Sequence, residues 1–337
     1  MHQTLGKATG CGLSSVMGQP AALAPLRSSI ASGRPHHAYL FDGPEGVGKR
    51  TTALAFAAAV NCEAALPTGE ACGQCLSCQK ISANTHPDVM FPKLELSGLA
   101  ETFEKLLRRL QYPPFEAKAQ VVILDPADQL AFPTALTAAN RLLKTLEEPQ
   151  KRTHFFLCST SANGLLETIR SRCLRLRFLP LQDDLVAAWL RNQAPDLSPE
   201  VARQVVALSL GSLGQAQRLL AEPALLQKRQ SCAEALLGAV NRPATQLCQV
   251  AAEVGQDKDE AQKTLDVLWL KLHGQLRQAA QNRQQSTHLV SALRLVRETQ
   301  LAISRFTGAP LAIERLLRKL LPLLQNSSNM ALIEGVR

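Results

Sequence analysis

The apolar positions of this chain follow two rhythms, and the change between them falls near Pro180. Before that point, short apolar runs at 38–41 (AYLF), 121–125 (VVILD), 154–160 (HFFLCST) and 174–179 (LRLRFL) are separated by stretches of helical period. Runs of this length bounded by turn residues predict strands buried on both sides. Helices are predicted at 21–30, 51–60, 98–110 and 134–148. The third is the clearest: Phe103, Leu106, Leu107 and Leu110 share one face, and Pro113 and Pro114 stop it. Strands alternating with helices predict a parallel sheet with helices on both faces.

After Pro180 the strand pattern ends. Asp183 and Asp184 are expected to cap a helix through Arg191, and Ser198, Pro199 and Glu200 supply an N-cap, a first-turn proline and an early acid for the next. Gly211 closes that helix and Ser212 opens another. From about 224 to 335 the period is helical throughout, with breaks near Pro243, Gly255, Gln285 and Gly308. The expected organisation is a loose extension at 1–15, with order beginning near Val16. An α/β domain follows at 16–180, then a small helical domain at 181–221 and a helical bundle at 222–337.

Composition adds limits. The chain has 337 residues, 46% of them hydrophobic and 19% charged, which is ample for a core and for two or three domains. No stretch approaches the roughly 20 apolar residues that cross a bilayer, and the first ten residues lack the apolar core of a signal peptide, so a cytoplasmic location is expected. The net charge of +9 is spread evenly, with 22 basic and 18 acidic residues in 1–221 and 15 and 10 in 222–337. That is a bias rather than a nucleic-acid patch, and 4% aromatics argues against a base-stacking platform.

The chemistry starts after the first strand. From Gly43 to Lys49 the chain reads GPEGVGK, a complete G-x-x-x-x-G-K in which Gly43, Gly46 and Gly48 permit a tight turn with converging N–H groups. Lys49 would reach the outer phosphates, and the following helix would point its positive end into the loop. The next position should carry the hydroxyl that holds Mg²⁺; here it is Arg50. Thr51 cannot substitute, because one helical step turns a side chain by about 100°. The second apolar run ends in Asp125, which matches a magnesium-side acid, but Pro126 stands where a water-activating carboxylate is needed. Asp128 follows in a turn at a different angle.

Cys62, Cys72, Cys75 and Cys78 form C-x9-C-x2-C-x2-C. Four thiolates with two-residue gaps match a closed tetrahedral zinc site; reduced thiols or a redox pair are the alternatives. The remaining cysteines are scattered and read as small core residues. Arg172, in the stretch Ser171–Cys173 before the fourth strand, reads by itself as a solvated charge.

Several of these stretches together resemble the delta-prime subunits of bacterial DNA polymerase III clamp loaders. They are GRPHHAYLFDGPEGVGK at 33–49, the four cysteines, THPD at 85–88 and LQYPPFEAKAQVVILDPAD at 110–128, with ANRLLKTLEEP at 139–149 and ETIRSRC at 167–173. The likeness is strong over 16–180 and weaker through 181–221. In the bundle it rests on APLAIERLLRKLL at 309–321.

The resemblance implies an AAA+ α/β domain with a zinc module at 62–78, a helical lid at 181–221 and a collar at 222–337. It implies a five-membered ring with motor subunits and a delta subunit, acting on a sliding clamp and primer-template DNA, with no membrane. It also implies a stator that does not hydrolyse ATP but delivers Arg172 as an arginine finger to a neighbouring motor. Gly214 falls where a motor has its sensor arginine, while the intact Gly43, Gly48 and Lys49 leave nucleotide binding open. Two rivals stand beside this reading. One is an ATP-hydrolysing gamma/tau-like motor, against which Arg50, Pro126 and Gly214 argue. The other is a zinc-dependent nucleic-acid module, which would need a basic, aromatic face that 61–80 lacks.

Overall fold

A computed structural model of the chain describes residues 11–66, 69–94, 98–131, 135–149, 152–160, 162, 165–239, 244–281, 286–304 and 308–325. The breaks expected near Pro243 and Gln285, and residues 1–10 of the expected extension, lie outside them.

The fold is α/β with a helical C-terminal region. A first helix α1 (Pro20–Ala31) leads to strand β1 (Ala38–Asp42), and α2 (Lys49–Asn61) and α3 (Leu76–Ser82) follow. Next come β2 (Val89–Met90), α4 (Leu99–Leu110), β3 (Gln120–Leu124), α5 (Leu136–Glu147), β4 (Thr153–Ser159), α6 (Glu167–Arg170) and β5 (Leu174–Arg177). The strands form one sheet in the order β2-β3-β4-β1-β5, and all its neighbours run parallel. β1 lies between β4 and β5, so the loop after it emerges inside the sheet, not at its edge.

The register explains why the strand sequences are apolar without alternation. Ala38 pairs with Phe155 and Tyr39 with Phe156, so successive residues face opposite sides and both sides are covered. On one face Leu40, Val122, Leu124, Phe155 and Leu157 pack with Phe103, Leu106 and Leu110 of α4 and Leu142 and Leu146 of α5. On the other, Tyr39, Phe41, Phe56, Phe156 and Phe178 form an aromatic cluster with ring centroids 4.8–5.5 Å apart. With Phe103 and Phe155, seven of the twelve phenylalanines and tyrosines that a surface platform would need are thus committed to the core.

Three expectations need correction. The run at 174–179 is not a strand buried on both sides: β5 lies at the sheet edge and only Leu176 of its four residues is buried. Order begins before Val16: Leu13 is buried, and the 3-10 turn Leu13–Ser15 lies against α2, with the Ser14 amide donating to Glu70. An apolar side chain in a polar stretch was enough to anchor it. Asp183 and Asp184 do not cap their helix, α7 (Asp183–Gln193); the N-cap is Gln182, and the two acids occupy the first turn, where the helix dipole favours them.

Beyond β5 the described chain is helical. After α7 come α8 (Pro199–Ser209), α9 (Leu213–Ala221), α10 (Pro223–Ala239), α11 (Ala244–Val254), α12 (Lys258–Gln281), α13 (Thr287–Ser304) and α14 (Ala309–Gln325). Ser198 caps α8, its hydroxyl accepting from the Val201 amide at 3.4 Å. Leu210 and Gly211 both adopt left-handed backbone after α8. A side chain at 211 would strike the Leu181 carbonyl at 2.4 Å, so only glycine fits there.

The chain divides into two compact units. The first runs to Leu197 and includes Ser209–Gln215; the second comprises Ser198–Leu208 and everything from Ala216 onward. The second has its own core of Leu236, Leu265, Leu268, Leu272, Val296, Ile313, Leu317 and Leu320. Inside it the buried Arg229 makes two hydrogen bonds to Glu260, at 3.1 and 3.2 Å.

Candidate functional site

The G-x-x-x-x-G-K stretch sits where a phosphate loop should, between β1 and α2. Gly46 and Gly48 have positive φ, +74° and +101°, which a side chain would resist. Gly43 is required for another reason: a Cβ there would meet the Phe178 carbonyl at 2.2 Å. The three glycines therefore build the turn that the sequence led one to expect.

The loop is nevertheless closed on itself. Lys49 is buried, and its ammonium donates to the carbonyls of Gly43 and Pro44, the latter at 2.6 Å. Burial holds its pKa below the ordinary lysine value, against the pull of Cys158, Asp125, Asp128 and Glu45. A second closure comes from the first turn of α9. The Gly214 amide donates to the Gly46 carbonyl at 3.0 Å, and a Cβ on Gly214 would lie 2.9 Å from the Gly46 Cα. Gln19 completes the frame, donating to the Val47 and Leu179 carbonyls and accepting from the Leu179 amide.

Around this loop the groups of an NTPase are replaced or engaged elsewhere. The Arg50 guanidinium stacks on Phe91, 4.6 Å from the ring centroid. Thr51 is exposed, and the Thr52 hydroxyl donates to the Gly48 carbonyl at 2.8 Å. Burial raises the Asp125 pKa, opposed by Arg50 and Lys49. Asp128 accepts from the Ser159 hydroxyl at 2.7 Å and from the Thr160 amide, so it braces the end of β4.

The four cysteines come together. Cys62 caps the C-terminus of α2, Cys75 is the N-cap residue of α3, Cys78 lies within α3, and Cys72 is on the loop between. Their sulfurs all lie within 4.8 Å of one another, with Cys62 and Cys75 at 4.0 Å. Four sulfurs at 2.3 Å from a tetrahedral ion would be about 3.8 Å apart, so the cluster can hold a metal ion with little contraction. Backbone amides already point at the sulfurs: that of Cys72 at Cys62, and those of Gln74 and Cys75 at Cys72, at 3.2–3.4 Å. The two amides lower the Cys72 thiol to about 6, which favours the thiolate that a metal needs. These observations fit a soft, four-sulfur ion site such as one for zinc.

Sequence reasoning missed the residues that join the motifs. Asp88 is fully buried and accepts from the amides of Phe115, Glu116 and Ala117 at 2.8–2.9 Å and from Arg109 at 2.7 Å. THPD and PPFEAK are thus two halves of one structure. Asn61 exchanges two hydrogen bonds with the backbone of Ala119, and Lys118 donates to the Cys62 carbonyl, tying the cysteine loop to the start of β3. The signal for Asp88 was an acid in a turn upstream of a proline-broken segment, which no single-stretch reading connects.

Arg172 follows α6 and lies along its own surface. It donates to the Thr168 carbonyl at 2.8 Å and to the Glu147 carboxylate at 2.5 Å, and its side chain is 34% exposed. The expectation of a freely solvated charge is corrected on that point: the guanidinium has an acidic partner in its own chain. None of the described helices is long and apolar enough to cross a membrane.

Comparison with known proteins follows these landmarks. Residues 18–182, from the start of α1 to the N-cap of α7, match the family described as DNA polymerase III, delta subunit. Subunit delta' of DNA polymerase III from Pseudomonas aeruginosa is 36% identical over 198 residues, 58% of each chain. That of Bacillus subtilis is 37% identical over 194 residues, 55% of this chain and 54% of the other.

Over this stretch the chain is similar to the delta' subunits of DNA polymerase III. Subunit tau of Escherichia coli also matches, 34% identical over 177 residues, 52% of this chain and 27% of tau. The chain therefore spans a little over half the length of these delta' relatives, and the matched residues 18–182 include the loop, the cysteines, Asp88 and Arg172. Among solved structures, a DNA polymerase III gamma subunit-related protein of Thermotoga maritima is 16% identical with a TM-score of 0.41, over 89% of this chain and 99% of that one.

Proposed function

We propose that the protein is the delta-prime stator of a DNA polymerase III clamp loader. In this reading it helps a ring with motor subunits and a delta subunit to load a sliding clamp onto primed DNA, in the cytoplasm, without hydrolysing ATP. The observation that carries the proposal is the closed phosphate loop: Lys49 is spent on the carbonyls of Gly43 and Pro44, and Gly214 packs on Gly46. A lysine engaged in this way offers little to a nucleotide, and the site has no hydroxyl at 50 and no base at 126. Residues 16–180 would be the AAA+ domain, 181–221 the lid and 222–337 the collar.

Arg172 would be this chain's contribution to chemistry, supplied to ATP bound on a neighbour. A planar guanidinium can contact two phosphate oxygens and offset charge that develops in transfer. Zinc held by Cys62, Cys72, Cys75 and Cys78 would fix the 62–78 loop and take no part in hydrolysis.

The test is reconstitution of the complete loader with and without the chain, and with Arg172→Ala. The isolated chain is expected to have no ATPase activity, and the Arg172→Ala loader to lose more than about tenfold in DNA-stimulated turnover while still assembling. Turnover near 1 s⁻¹ by the chain alone would favour the gamma/tau-like motor instead, a reading supported by the intact G-x-x-x-x-G-K and the match to tau.

A further inference from the structure

The contact between Arg172 and Glu147 has a cost that points to a purpose. Glu147 is the last residue of α5, and Glu148 follows as its C-cap. Two carboxylates at the negative end of a helix dipole oppose the local rule, which places cations there. A sequence that breaks such a rule without a structural gain commonly does so at a functional position. Here Arg172 relieves one of the two charges, reaching Glu147 with one nitrogen while the other is fixed on the Thr168 carbonyl. α5 and α6 pack on each other, with Leu142, Leu146 and Ile169 in one core, so the end of α5 and the turn that carries Arg172 share a base.

We propose that Glu147 is a positioning residue for Arg172 that competes with phosphate for its guanidinium. This rests on the reading of Arg172 as a finger supplied to a neighbouring ATP. With Glu147 engaged, Arg172 is stored against its own chain; contact with a phosphate oxygen requires exchange of one anionic partner for another. Both side chains are exposed enough for that exchange, at 34% for Arg172 and 49% for Glu147. Surface pairs of this kind are weak, so a triphosphate can outcompete the carboxylate once the neighbour is correctly placed. The pair then acts as a threshold: a misplaced neighbour meets a neutralised arginine, and a well-placed one draws it out. No bond is made or broken in the exchange.

The experiment has two arms. In the isolated chain, modification of Arg172 by phenylglyoxal is followed by mass spectrometry. Glu147→Gln is expected to speed it about two- to five-fold, the range that loss of an exposed pair allows, and Glu147→Asp to stay near the unmodified rate. In the complete loader, Glu147→Gln is expected to raise ATP turnover without DNA about two- to five-fold and to move the DNA-stimulated rate less, so that the stimulation ratio falls. Arg172→Ala combined with Glu147→Gln should behave as Arg172→Ala alone. A purely structural Glu147 would not move the ratio, and an unchanged or raised ratio in Glu147→Gln, with Arg172→Ala still impaired, overturns the proposal and leaves the finger intact. An Arg172→Ala loader with unmodified turnover removes the finger reading, and this proposal with it.

Discussion

Asp88 shows how one residue can make two distant sequence stretches depend on each other. Burial alone would raise its pKa, but the amides of Glu116, Phe115 and Ala117 and the Arg109 guanidinium outweigh this and hold it below the usual carboxylate value. Asp88→Asn should cost about 3 kcal/mol, since an amide places its own donors against those N–H groups. A folded pKa below the unfolded value near 3.8 means that the stabilisation is complete above that pH and lost as pH falls through the folded value. The gap between the two proteins in urea should therefore be constant at pH 5–7 and narrow below about pH 4; a gap that widened in acid would contradict the assignment.

Gly214 makes the parallel case by contact. Its backbone is ordinary, so only the approach to Gly46 excludes a side chain. Gly214→Ala should destabilise by about 1–3 kcal/mol through overpacking, measured by chemical denaturation, and a neutral result would mean that the loop has room to open.

At the scale of elements, most of the sheet was legible and the closure of the site was not. Three strands announce themselves because residues buried on both faces are mostly apolar, as in Gln120–Leu124 and Thr153–Ser159, while β5 at the sheet edge reads LRLR and buries only Leu176. Val89–Met90 escaped because two residues carry no pattern; it pairs with β3 by virtue of Asp88 beside it. The cysteine spacing gave the cluster, since helix ends bring i and i+3 sulfurs together. The closed phosphate loop could not be read, because Gly214 and Gly46 are far apart in sequence and a glycine advertises no partner.

The cysteine loop yields its own prediction at this scale. It has little apolar content; its hold on the sheet runs through Asn61 and Lys118, and Glu70 ties it to Ser14 and to Arg27 of α1. Zinc is expected at one equivalent per chain. Cys72→Ser should abolish it and increase proteolysis within 62–82, while the far-ultraviolet dichroism of the sheet and helices stays unchanged. Metal analysis finding under about a tenth of an equivalent in unmodified protein would remove zinc from the account.

For the whole molecule, the decisive feature is that, among the described residues, each unit has apolar packing of its own. Leu142, Phe155 and Leu157 belong to the core of the first unit, and Leu268, Val296 and Leu317 to that of the second. Each unit buries its own apolar surface, so each has its own driving force for folding. The division does not follow the sequence simply, because Ser198–Leu208 belongs to the second unit and Ser209–Gln215 to the first. The segment 209–215 is held in the first unit by contacts already described, Gly211 on Leu181 and Gly214 on Gly46. Thermal or denaturant unfolding of the whole chain should accordingly depart from a single two-state transition. Leu142→Ala should shift the transition of the first unit and Leu268→Ala that of the second, each by the 2–5 kcal/mol typical of a buried leucine, with little effect on the other. Tryptophan offers a local probe, since Trp269 lies on α12 in the second unit and Trp189 on α7 in the first. Replacing one tryptophan at a time by phenylalanine would let the remaining one report its own unit. If both reporters moved together under either leucine substitution, the two cores would form one cooperative system and the division into units would have no thermodynamic meaning.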